Sequence, residues 1–198
     1  MSQSVFNTSS QQDDLLSKIV VGFERIAESF RVLLWNHAKE VGLSPIQIQI
    51  LIFINYHRAS MCGVSHLAKE FNMTKPTISD AVKVLEQKGL ITKEDSAFDS
   101  RSHVLVLTED GKSMVSQTES FANPIKAELE KLGSDDLSSI YTAMSQLIFG
   151  LNHKGILQVQ RTCYNCRHFG GNYCNYHEVG LKTGDIRLDC PEFENSPY

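Results

Sequence analysis

The 198-residue chain lacks any excess of positive charge, with 19 Lys and Arg against 23 Asp and Glu and a formal charge of -4. That excludes a global field for a polyanion, so any nucleic-acid contact has to be local. Long apolar runs are missing as well. The longest, residues 50–54, is far short of the roughly 20 residues that cross a bilayer, so neither a membrane span nor a membrane partner is expected. Residues 1–14 are polar, with no basic start and no apolar stretch before a small-residue cleavage site. No secretory signal is expected, and the cytoplasm is the expected compartment. There is no internal repeat, and no nucleophile–base arrangement or phosphate loop marks an enzyme. Cysteine is scarce before residue 163, where only Cys62 occurs. The last 36 residues hold the other four, where even placement would give about one. With 41% hydrophobic and 21% charged residues, the remainder has the composition of an ordinary globular protein, one domain with an appendage.

Apolar residues recur at helical spacing from Leu16 through Phe23, Ile26, Phe30, Leu33 and Ala38 to Val41. This predicts one long, one-sided helix whose stripe serves as core or dimer seam. Gly42 offers its cap, and Ser44, Pro45 and Gln47 supply the cap residue, first-turn proline and third-position amide of a new helix. Ile46, Ile48 and Ile50 alternate with Gln47 and Gln49 as a strand would, but the start signal and the continuation through Leu51, Phe53 and Ile54 favour a buried helix. Val64, Leu67, Ala68 and Phe71, then Asn72-Met73-Thr74, then Ile78, Val82 and Leu85 up to Gly89 form a helix-turn-helix pattern. Thr74 suits the cap of its second helix and Gly89 the left-handed close. Leu90 to Thr92 and His103 to Leu107 are β-rich and predict a hairpin with a long loop. Thr108 to Gly111 open a helix interrupted near Pro124. A last helix, capped near Ser134, carries Leu137, Ile140, Tyr141, Met144, Leu147, Ile148 and Leu151. Residues 152–155 form the joint before the cysteine module. Cys62 is expected to be a buried thiol rather than a redox sensor, since no resolving cysteine lies near it in sequence. His37, His57 and His66 fall on separate helices, so no metal site is expected among them.

Residues 73–91, in which Leu85, Glu86 and Gly89 close the second helix, resemble the MarR family of winged-helix transcription regulators. The resemblance continues in Asp99 and Arg101 of the following loop and in Leu107, Thr108 and Gly111 after it. It covers residues 12 to 153, including the helices that in that family make an all-helical homodimer interface. It implies a mainly α fold with a small β-hairpin wing, a winged helix-turn-helix in an all-helical dimer scaffold, carried by residues 1–154. It further implies a homodimer that represses transcription at a near-palindromic operator of double-stranded DNA. The DNA-binding residues would be Thr74, Lys75, Thr77, Ser79 and Lys83 of the recognition helix and Arg101 of the wing. A pocket for a small-molecule effector, of unspecified chemistry, would lie between the dimer and DNA-binding parts. The side chains suit these roles. If Ile78, Val82 and Leu85 pack inward, the lysines and hydroxyls lie on the other faces near the helix start, where major-groove edges and phosphates are met. A guanidinium at position 101 suits a minor groove. Asp80 and Ser100 depart from the family pattern, which often has arginine at both. Residues 69–112 hold seven basic and eight acidic residues, so a positive DNA face requires geometric sorting, and modest, salt-sensitive affinity is expected.

Residues 155–198 carry the spacing Cys163-x2-Cys166-x7-Cys174-x15-Cys190. A CxxC turn lets two thiolates reach one ion from a tight loop, and later ligands close the coordination sphere. Four thiolates suit tetrahedral Zn2+ or a [4Fe-4S] cluster. His177, close after Cys174, is an alternative ligand that can replace Cys190 in a zinc site. The aromatic neighbours Tyr164, Phe169, Tyr173, Tyr176 and Phe193 are also similar to the cluster-binding segment of high-potential iron-sulfur proteins. The expected function is transcription regulation modulated by metal or redox state at these cysteines. An iron-sulfur electron-transfer or enzyme component, and a protein-interaction adaptor, are the alternatives, each with a winged helix that no longer binds DNA.

Overall fold

The computed structural model describes residues 4–95 and 103–196. Helix α1 (Leu15–Val41) starts where the Asp14 carboxylate accepts from the backbone N–H groups of Leu16 and Ser17. It ends at Gly42, whose φ of 65° suits a residue without a β-carbon. Helix α2 (Pro45–Tyr56) is opened by a capping box in which the Gln47 side chain accepts from the Ser44 N–H at 2.8 Å. Its Ile48, Ile50 and Leu51 are fully buried. A helix wrapped by neighbours carries apolar residues at every phase, which is why its isoleucines mimic a strand.

Helices α3 (Val64–Glu70) and α4 (Lys75–Gln87) are joined by a turn in which Asn72 adopts a φ of 51°. Strands β1 (Ile91–Asp95) and β2 (His103–Leu107) pair antiparallel, Ile91 opposite Leu107 and Asp95 opposite His103. The hairpin is fastened to the next helix, α5 (Glu109–Thr118), by one side chain. The Thr108 hydroxyl donates to the Gly89 carbonyl at 2.7 Å and accepts from the Gly111 N–H at 3.0 Å. A β-carbon on Gly111 would stand 2.0 Å from the Leu90 carbonyl oxygen, so this crossing requires glycine. The break expected near Pro124 falls earlier, in a 3-10 turn over Glu119–Ala122, and Pro124 sits in the first turn of α6 (Asn123–Leu129). Helix α7 (Ser134–His153) has Gly133 rather than Ser134 at its cap position.

One core surrounds α2, drawing Leu34 and Ala38 from α1, Leu67 from α3, Ile78, Val82 and Leu85 from α4, and Ile91, Leu105 and Val115 from the hairpin and α5. The outer stripe of α1, with Ile19, Phe23, Ile26 and Phe30, is exposed, as are Leu137, Ile140 and Leu147 of α7. Beyond α7 the chain forms short turns and a small hairpin, β3 (Tyr173–Cys174) with β4 (Val179–Gly180). This segment docks on the body: the Tyr141 hydroxyl donates to the Ile186 carbonyl, and Tyr164 meets Phe149 edge-on at 6.0 Å. Among the described residues no helix is long and apolar enough to cross a membrane.

Candidate nucleic-acid interface and thiol site

Helix α4 is built to present one side. Thr74 caps it, its hydroxyl accepting from the Thr77 N–H at 3.3 Å and lying 2.8 Å from the Thr77 hydroxyl. Ile78, Ala81, Val82 and Leu85 are buried, so the helix cannot turn about its axis. Thr74, Lys75, Thr77, Ser79 and Lys83 are all exposed. At 3.6 residues per turn, Pro76, Asp80, Lys83 and Gln87 face directly away from the buried stripe, Lys75 and Ser79 lie along one flank and Thr77 along the other. The outward face therefore has a carboxylate, Asp80, at its middle. Arg101, with Asp99 and Ser100, lies outside the described residues.

The geometric sorting of charge takes the form of ion pairs. Glu86 of α4 holds Lys93 of β1 at 2.6 Å, Asp95 faces His103 at 3.3 Å, Glu109 holds Lys112 at 2.7 Å, and Glu70 is engaged by Arg161. Half of the eight acidic residues between 69 and 112 are thus partnered. Among the described residues neither Lys75 nor Lys83 has an acidic partner. Between α1 and α2 an open cavity of about 560 Å³ is lined by Phe30, Leu34, Trp35, Ile46, Met73 and Phe121.

A model of the MarR family matches residues 41–102, from the end of α1 through the helix-turn-helix into the hairpin loop. Over those residues this chain is similar to the MarR family. Solved structures agree in fold. S. aureus MepR in its DNA-binding conformation superimposes with a TM-score of 0.60 at 20% identity, over 67% of this chain and 98% of MepR. The MepR–DNA complex gives 0.58 at 20%, over 67% and 97%, and transcriptional regulator PA3341 gives 0.60 at 19%, over 68% and 98%. Nearly all of each of these structures is matched by about two thirds of this chain, and the remaining third has no counterpart in them.

The winged-helix body meets the C-terminal segment at Arg161, whose side chain is 6% exposed. Its guanidinium donates to Asp189 Oδ1 at 2.6 Å and to both oxygens of Glu70, at 2.7 and 3.0 Å, while lying over the Phe53 ring at 5.4 Å. His57, stacked on Phe53 at 3.7 Å, places its Nε2 3.0 Å from Asp189 Oδ2. Burial alone would raise the Asp189 pKa, but the hydrogen bonds from His57 and Arg161 hold it well below the usual carboxylate range. Sequence reasoning missed this cluster. Its hydrogen-bonded members are up to 132 residues apart, and no spacing rule links them. It also brings His57 and His66, which the sequence left on separate helices, to one corner. Burial lowers the His66 pKa there.

The four C-terminal cysteines converge. Cys163, Cys166, Cys174 and Cys190 line one small cavity, together with Phe169 and His177. Cys163 and Cys166 flank a 3-10 turn whose closing N–H, from Cys166, donates to the Cys163 carbonyl at 3.0 Å. The Arg187 N–H donates to Cys163 Sγ at 3.3 Å, and the Arg187 guanidinium lies 4.0 Å from Cys190 Sγ. Cys163 and Cys190 are buried, and burial pushes both thiols up. Among the described residues no group of three or more His, Cys, Asp or Glu side chains is placed to hold a metal ion. All five cysteines are free thiols. Cys62 is apart from the others, 1% exposed in the body's core, and burial pushes its thiol up to about 11.

Proposed function

We propose that this protein is a cytoplasmic, homodimeric, non-enzymatic transcription regulator, a repressor, that binds a near-palindromic DNA operator through α4 and the hairpin of each protomer. The observation that carries this reading is the clamped recognition helix, with Lys75, Thr77, Ser79 and Lys83 exposed around a buried apolar stripe and both lysines without acidic partners among the described residues. A MarR-type relative of the same fold, MepR, has been solved with DNA. Lysines at the start of such a helix neutralise phosphates, and hydroxyls reach base edges. Thr74 contributes by fixing the start of the helix, and Arg101 by entering the minor groove from the wing. The homodimer follows from the exposed stripes of α1 and α7, which one chain leaves uncovered and a twofold axis would bury twice. Residues 1–154 carry these functions, with residues 155–198 as an added module. An apolar effector would enter the cavity between α1 and α2, where Trp35 and Phe30 meet the helix-turn-helix at Met73.

Selection of DNA from a random pool by the full chain tests the reading. An enriched palindrome is expected, and Lys75→Ala, Lys83→Ala or Arg101→Ala should each weaken binding to it without changing dimer content. A phosphate-contacting lysine should also lower the salt slope by about one. No enrichment from a folded, dimeric protein would overturn DNA binding in favour of a protein-interaction adaptor, the role that Asp80 at the centre of the outward face favours. Leu16→Asp should convert dimer to monomer and abolish tight operator binding together, because the half-sites are then no longer linked.

A further inference from the structure

The C-terminal module has too little apolar surface to hold its own shape. Its buried apolar side chains are Ile186 and the thiols of Cys163 and Cys190, with Arg161 and Thr162 as buried polar company. A segment of some 40 residues with so small a core ordinarily needs a staple. The staples available are the four cysteines, and the backbone has gathered them. The segments that carry Cys163 and Cys190 are tied by two main-chain bonds, Cys163 N–H to the Arg187 carbonyl at 3.2 Å and Cys190 N–H to the Arg161 carbonyl at 3.0 Å. Phe169 is bridged to Cys174, which brings the third thiol beside the Cys163–Cys166 turn. His177 is exposed and packs against Tyr176 at 5.0 Å, so Cys190, buried beside Cys163, is the better fourth ligand.

We propose that Cys163, Cys166, Cys174 and Cys190 bind one thiophilic metal centre, a zinc ion or an iron-sulfur cluster, and that its loading sets the position of α3 through Arg161. Four thiolates around one point satisfy either centre. All four already line one cavity, and loading draws their side chains together around the ion. The link to the body is short. Cys190 follows Asp189 directly, Asp189 holds the Arg161 guanidinium, and Arg161 holds Glu70 at the end of α3, the helix that leads into the helix-turn-helix turn. Ligation of Cys190 fixes this chain of contacts, and loss of the metal frees it. This second step rests on the DNA-binding reading above, whereas the metal site does not.

The test is metal and sulfide analysis of full-length protein purified without air. About one zinc per chain and a colourless protein, or iron with inorganic sulfide and a brown colour, each supports the site and distinguishes the two centres. Cys166→Ser and Cys174→Ser should each drop the content below a tenth of wild type, with Cys62→Ser unchanged. No stoichiometric metal in reduced, folded protein, or retention by the Cys166 and Cys174 variants, overturns the site. So does a Cys190→Ser protein that keeps its metal while His177→Ala loses it. For the link, stripping the metal should change affinity for the selected operator at least fivefold in wild type and less than twofold in Arg161→Gln, whose metal content stays at one per chain. Equal affinity of loaded and stripped wild type overturns the link and leaves the metal result standing. A chain that selects no operator fails the earlier reading alone.

Discussion

Helices α1 to α5 and the hairpin bury Ile48, Ile50, Leu51, Leu67, Ile78 and Leu85 completely, whereas the module beyond α7 buries one isoleucine, two thiols, an arginine and a threonine. The first region is stabilised by area removed from water, spread over many contacts that each contribute a little. In the second, a few strong, directional groups are concentrated at two points, the thiol cavity and the Arg161 cluster. The difference teaches where each can fail. A distributed core loses stability in proportion to the atoms removed, while a module held at two points comes off when either is broken.

The largest effect separates the regions at the body. Leu51→Ala should cost about 4 kcal/mol and lower the denaturation midpoint of the whole winged helix, because a fully buried side chain in the central helix leaves a cavity. If the midpoint of helix unfolding is unmoved, the core is not centred on α2. Next comes the joint. Arg161→Ala removes the guanidinium that bridges Glu70 and Asp189 and should weaken docking of the module by about 3 kcal/mol. Limited proteolysis should then cut residues after 155 while the helical circular dichroism of the body persists. Simultaneous loss of both signals would mean that the regions fold as one unit. Gly111→Ala is smaller, about 2 kcal/mol of overpacking, since its β-carbon collides with the Leu90 main chain and that strand turn has to shift. A variant as stable as wild type would show that the hairpin–α5 crossing is loose.

The smallest effect contrasts thiols. Cys62, with its pKa pushed from 9.0 to about 11 by burial, should resist alkylation at pH 8 in the folded protein, while the half-buried Cys166 and Cys174 react once any metal is stripped. The folded state favours the neutral Cys62 thiol. The stability it contributes is therefore fully present below about pH 9 and is lost as pH rises through about 11. Rapid labelling of Cys62 alongside the others would erase the contrast.

Much of the winged helix was legible residue by residue. Ser44, Thr74 and Thr108 act locally, and Gly42 and Gly89 take the left-handed conformation that only local sterics demand. The stripe of α4 likewise follows from spacing alone, and with it the exposure of Lys75, Thr77, Ser79 and Lys83. Spacing did not reveal that Asp80 occupies the middle of that face, because the buried stripe had first to include Ala81. The isoleucines of α2 were ambiguous because complete burial removes the periodic signal that distinguishes helix from strand.

The sequence by itself determined the order of elements, the caps that start and stop them, and the clustering of four thiols in one short segment, all of which depend on neighbours a few residues apart. Only the tertiary structure decided that Arg161 joins Glu70 and Asp189, that His57 and His66 share a corner, and that the stripes of α1 and α7 stay exposed among the described residues. The physical reason is range. Capping and helical phase act through bonds between near residues, while a buried ion pair across 91 residues exists only once packing has brought its members together and excluded the water that would otherwise solvate them.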